Sequence, residues 1–355
     1  MRRNIACWLC LLVAILARTG LFAQTIGKDT VHLDYRKIYA YCLDGNIRPA
    51  LLMVDTAGRH SLSPKDRQFA TEFDSRFRSG QDNSNYLASK RSPIDSLLQI
   101  YHAYWRTGLL DTQRNDDTTF TEKLVQFLKA SYGPARALTA DPDSIDLYEK
   151  GYLGTFGFHT TGFGKTGKFF DLLVWRKEED TTYNFMMGTE KISAHVVFMD
   201  DFITLGWEEF ATLEKYYPGG WATSDALYCV KKAYDLNSEQ FLISYLAHES
   251  RHFADYKLFP GLQSADLEYR AKLTELSLAK TSLYETIEFF ISNANKDSDN
   301  GHSVADYRAI RDLSKKLFKK EFEKNILAWK KLDPARIHSA AAEILQANTT
   351  VLRSR

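Results

Sequence analysis

His248, Glu249 and His252 combine side chains that hold a divalent cation with one that moves a proton beside it. The histidines are four residues apart, so on a helix both imidazoles leave one face and can share an ion. Glu249 is turned by about 100° from His248, which keeps its carboxylate out of the ligand set but near the ion's open side. From there it can act as general base toward water, whose pKa zinc lowers to about 7. The segment Phe241 to Leu258 is apolar upstream of His248 and reads as a buried helix, capped by Asn237 or Ser238. Two imidazoles entering a core side by side need a partner. The rival reading is a helix with two satisfied histidines and a surface glutamate.

A catalytic zinc takes three protein ligands. A third histidine in the extended pattern would fall at 258 after a glycine at 255, but Asp255 and Leu258 stand there. A glutamate on a following helix is the remaining route. Asp266 to Leu276 begins such a helix, with Ser264 or Asp266 as cap, and a loop at Pro260-Gly261 folds it back antiparallel. Glu268 and Glu275 face the same way. Glu268, nearer the helix start, is the expected ligand; Glu275 is the alternative, and the one not used serves as an outer partner or pairs with Lys272. Asp255, one turn beyond His252, either orients an imidazole or lies on a solvated face.

The spacing His248-Glu249-x-x-His252 followed by Glu268-Tyr269-Arg270-Ala271 resembles the gluzincin class of zinc metallopeptidases. The second segment is similar to the E-x-x-A-D signature of some membrane and periplasmic gluzincins, with Glu268 in the ligand position and Lys272 where the signature has Asp. The resemblance covers residues 195 to 280 and implies a zincin fold, bound zinc and peptide-bond hydrolysis. In zincins an edge strand upstream of the active helix pairs with extended substrate, and Ala194 to Met199 is the expected strand. His302, Tyr307 and Tyr269 are candidate donors to the oxyanion, each with a structural reading beside it. Trp207, Tyr216, Tyr217 and Trp221 either line a groove or pack in a core.

The elements that must position these residues divide near residue 150. From Asp34 to Tyr132 apolar residues recur at helical spacing, with a polar break at Gln81 to Asn85. After Gly151 the segments Tyr152 to Gly162, Phe169 to Lys177, Tyr183 to Met187 and His195 to Met199 read as a small antiparallel meander, with turns at Gly164-Lys165-Thr166-Gly167 and Glu178-Glu179-Asp180. Helices return from Ser238, broken at Pro260-Gly261 and at Asn293 to Gly301. Gly162 to Lys168 approaches a phosphate-binding loop, but Phe169 replaces the required Ser or Thr and strands flank it, so a hairpin is expected. The fold class is therefore α+β: a signal peptide over 1–23, a helical accessory domain over 24–150 and a zincin-like metallohydrolase domain over 151–355.

Arg2, Arg3 and the apolar run Ile5 to Ala17 have the layout of a secretory signal, with cleavage near Ala23/Gln24 and a periplasmic or secreted product. No later run is long enough to span a membrane, so no stable insertion is expected after cleavage. Export leaves Cys42 and Cys229 either to pair or to persist as separate buried thiols. With 46 Lys and Arg against 45 Asp and Glu, the 355-residue chain has no basic excess for nucleic acid. The expectation is an exported zinc peptidase with Zn2+ held by His248, His252 and Glu268, Glu249 as base and a peptide or protein as substrate. The rival from another class is a non-catalytic binding or scaffold protein with a structural histidine pair.

Overall fold

Residues with strong start signals open the helical part of the chain. The computed structural model describes residues 31–58, 60–79, 94–114, 116–133, 138–187, 190–223, 225–298 and 300–354. The expected signal peptide, its cleavage site and the Gln81 to Asn85 break lie outside the described residues. Helices α1 (Tyr35–Leu43), α2 (Arg48–Thr56), α3 (Pro64–Phe77), α4 (Asp95–Leu110), α5 (Asp117–Tyr132) and α6 (Pro142–Gly154) follow one another. Asp34, Ser63 and Asp141 each accept a backbone N–H of the first turn, and Pro64 and Pro142 stand where a missing N–H does no harm. Their apolar faces bury Ile38, Phe73, Leu97, Tyr101, Trp105 and Leu124 in one core.

The strands are β1 (His159–Thr160), β2 (Gly164–Thr166), β3 (Phe169–Asp171), β4 (Leu173–Met187) and β5 (Glu190–Leu205). The short helix α7 (Trp207–Ala211) and strands β6 (Gly220–Ala222) and β7 (Leu227–Val230) come next. β2 and β3 form the expected hairpin, pairing Thr166 with Phe169 across a turn in which Gly167 takes φ +59°. The other five strands make one sheet in the order β1-β4-β5-β7-β6. Two expectations fail here. Helix α6 runs on through Tyr152 to Gly154, leaving a two-residue strand in place of Tyr152 to Gly162. Glu178-Glu179-Asp180 is the exposed middle of β4 rather than a turn. Lys231 Nζ, in the single turn after β7, meets Glu179 Oε2 at 2.6 Å, and His195 Nε2 on β5 meets Asp180 Oδ1 at 3.1 Å, so both charges are paired by distant residues.

A π-helix (Gln240–Ala247) leads directly into α8 (His248–Leu258). Then come α9 (Ser264–Leu278), α10 (Leu283–Asn293), α11 (Gly301–Phe318), α12 (Ile326–Trp329) and α13 (Pro334–Arg353). The breaks at Pro260-Gly261 and Asn293 to Gly301 fall where the turn residues place them. Helix α9 is surrounded by α8, α11 and α13, and every residue from Leu267 to Leu276 is buried. A helix enclosed on all sides is normally apolar throughout, yet this one carries Glu268, Arg270, Lys272 and Glu275. Each of those charges therefore needs a partner.

The architecture is mixed α and β. Two compact units compose it: Glu178–Phe198 with Gly219–Arg355, and the described residues up to Lys177 with Met199–Pro218. The division drawn at 150/151 falls inside α6 instead, because the change from helical to strand-forming residues marks where helices end and not where a core ends. Cys42 and Cys229 are both buried free thiols, and burial pushes the Cys42 thiol up to about 12. No helix among the described residues is long and apolar enough to cross a membrane.

Candidate metal centre

The first two turns of α8 carry His248, Glu249 and His252, each at 1% exposure. Each can offer a ligand atom within 4.8 Å of the other two, so the group can hold a metal ion. The imidazoles converge: His248 Nε2 and His252 Nε2 lie 3.0 Å apart with their ring planes at 83°. Helix α9 brings the Glu268 carboxylate to the same point, with Oε1 at 3.1 Å from His252 Nε2 and Oε2 at 3.4 Å from His248 Nε2. Tetrahedral ligands at zinc distances of 2.0–2.2 Å stand about 3.3–3.6 Å from one another, and the three donors, at 3.0–3.4 Å, lie within a few tenths of an ångström of that spacing. Glu249 lies beside them, and neither of its oxygens has a hydrogen-bond partner.

Glu275, two helical turns beyond Glu268, takes the opposite side of His248. Its Oε1 lies 2.6 Å from Nδ1, a contact that orients the ring with Nε2 toward the other donors. Burial acts to lower the His248 pKa, but the Glu268 and Glu275 carboxylates outweigh it and raise it to about 10. For Glu268 burial acts upward, and the His252, His248 and His302 rings overcome it to hold the carboxyl well below its usual range. Burial dominates at Glu249 and lifts its carboxyl to about 7.

The outer charges are arranged around α9. Lys272 Nζ forms an ion pair with Asp306 Oδ1 at 2.9 Å and lies over the Phe290 ring. Arg270 grips Asp255 in a two-pronged pair at 2.7 and 2.9 Å, and also reaches Asn348 Oδ1 at 2.8 Å on α13. Asp255 is thus neither on a solvated face nor bonded to an imidazole. Glu249, Glu268, Glu275 and Asp306 are buried carboxylates, while Lys272 is the one buried lysine among the described residues. The chemistry of this donor set, with more negative than positive groups in a dry interior, suits a divalent cation.

Several expected neighbours lie elsewhere. Ala194 to Met199 belongs to β5, which has β4 on one side and β7 on the other; alternation reveals the faces of a strand but not its place in the sheet. The edge strand packed against α8 is β6. It approaches closely because Gly220 has no side chain: a Cβ there would stand 2.6 Å from the Tyr245 ring of the π-helix. Trp207 packs in the core around α4, and Tyr216 meets Tyr39 edge to face. Trp221 is buried and stacks on Tyr228. Tyr269 donates its hydroxyl to Asp312 at 2.7 Å, and Tyr307 stacks on Phe322, so both have structural employment. His302 comes to Glu268, with Nδ1 at 2.8 Å from Oε2; residue spacing carries no signal of that approach. No protein-family model, curated protein or solved structure matches the chain.

Proposed function

We propose that the chain is an exported, zinc-dependent hydrolase of gluzincin type that cleaves peptide bonds. The observation that carries this reading is the convergence of His248 Nε2, His252 Nε2 and the Glu268 carboxylate at 3.0–3.4 Å beside a buried, unpartnered Glu249. His248, His252 and Glu268 hold the cation; when bound, zinc acts as a Lewis acid that brings the pKa of water to about 7. Glu249 is the general base: it accepts a proton from the attacking water and returns it to the leaving amine. Glu275 keeps the His248 ring in one orientation. The outer edge of β6, beside α8, is the strand to which an extended peptide can add. The zincin-like assignment of this unit and the export of the chain, drawn from the basic and apolar layout of residues 1–23, belong to the same proposal.

Burial of every donor favours a second reading, a scaffold protein whose metal centre serves stability alone. Elemental analysis of the purified chain, followed by assays of Glu249→Ala and His252→Ala on a mixed peptide library, separates the two. The enzyme reading expects one zinc per chain, hydrolysis lost with zinc kept in Glu249→Ala, and both lost in His252→Ala. Stoichiometric zinc with no hydrolysis by the unaltered chain supports the scaffold, and no stoichiometric metal at all removes both metal readings.

A further inference from the structure

His302 stands in the first turn of α11, where that helix meets the start of α9. Asn300 accepts the His302 backbone N–H at 2.8 Å and so starts the helix at this point. Gly301 follows, and a Cβ on it would lie 2.5 Å from Ser264 Oγ and 3.2 Å from the Ala265 nitrogen. The missing side chain lets the start of α11 rest on the start of α9. Two ion pairs hold it there: Arg308 to Asp266 at 2.8 Å and Lys272 to Asp306 at 2.9 Å. The His302 ring is thereby delivered to Glu268, Nδ1 to Oε2, at 2.8 Å.

That distance is short enough for a hydrogen bond, yet neither oxygen of Glu268 has a partner in hydrogen-bonding geometry. The imidazole nitrogen and the carboxylate are close without being aimed at each other. Three imidazole nitrogens approach this one carboxylate, His302 Nδ1 at 2.8 Å and His248 Nε2 at 3.4 Å from Oε2 and His252 Nε2 at 3.1 Å from Oε1, so potential ligand atoms gather around a single group.

We propose that His302 is a fourth protein ligand of the cation, so that the resting site is closed by three imidazoles and one carboxylate. This rests on the metal reading of the site given above and adds to it a regulated position. Four protein ligands fill a tetrahedral zinc site, whereas a hydrolytic site keeps one position open. His302 is the ligand suited to leave: its side chain is 28% exposed, against 0–1% for His248, His252 and Glu268. Hydrolysis then requires substrate to displace this ring.

X-ray absorption on the zinc-loaded full chain counts the imidazoles directly. Three in the unaltered chain, falling to two in His302→Ala, is the expected result; two in the unaltered chain overturns the proposal. Chelator competition gives the second measurement. His302→Ala is expected to weaken zinc binding at least as much as loss of an outer partner does, roughly 10–100-fold. His302→Asn keeps a donor near the Nδ1 position and is expected to remain as weak as His302→Ala; recovery of full affinity in His302→Asn would mean that the ring only donates to Glu268, and the proposal falls. A chain that binds no stoichiometric zinc refutes the metal reading itself, whereas zinc bound by two imidazoles refutes only the role of His302.

Discussion

At the scale of single residues, the buried carboxylates define what the site needs. An unpartnered buried polar group costs on the order of 1–3 kcal/mol, more when charged, and Glu249 presents two such oxygens. Folded chains keep such groups where chemistry uses them. Glu275 has the contrasting role of an outer partner, bonded to His248 Nδ1 at 2.6 Å. Glu275→Ala is expected to weaken zinc binding by roughly 10–100-fold and leave the fold intact, as read by chelator competition and circular dichroism. Affinity unchanged from the unaltered chain would remove that role. The types and spacing of His248, Glu249, His252 and Glu268 were legible in the text because helical geometry converts spacing of three, four and seven into shared faces. Which nitrogen of His248 each glutamate meets was not legible, since Glu268 and Glu275 share a face and differ only in depth along it.

At the scale of elements, the loops and caps carry the arrangement. Glu239, just before the π-helix, accepts the backbone N–H groups of Lys280, Thr281 and Ser282 and so ties the chain ahead of α10 to the chain ahead of α8. Burial acts to raise its pKa, but the Ser282 and Thr281 donors outweigh it and hold the carboxyl down at about 2. A depressed carboxyl stabilises the fold above its unfolded value of about 4.3, and that contribution is lost as pH falls toward 2. The melting temperature of the unaltered chain should therefore drop more steeply between pH 4.5 and 2 than that of Glu239→Gln. Parallel curves would refute the linkage. The breaks before α9 and after α10 were legible because Pro260-Gly261 and Asn293 to Gly301 contain turn formers, whereas the break between α9 and α10, at Ala279 to Ser282, was not read. Strand neighbours were not, because pairing in a sheet is a long-range choice: Glu178-Glu179-Asp180 looked like a turn only while its distant partners Lys231 and His195 were out of view.

At the scale of the whole molecule, the two units are not consecutive stretches of chain. The passage from one to the other falls within β4, at Lys177/Glu178, and again within β5, at Phe198/Met199. The segment Met199–Pro218 then completes the helical core with Ile203, Trp207, Phe210 and Ala211. Arg76 fastens it by donating to the Phe210 carbonyl at 2.9 Å and to Glu214 at 2.8 Å. Protein engineers who wish to isolate the half that carries His248, Glu249 and His252 cannot do so with one cut. A fragment starting at residue 151 would carry Phe169, Leu172, Trp207 and Phe210 stripped of the helices that cover them, and apolar surface of that kind drives self-association. Light scattering should find it aggregated. Excising both Met199–Pro218 and everything before Glu178, then bridging the gap with a short flexible linker, should yield a more soluble product; equal dispersity of the two would mean that the excised segment has no need of its companions.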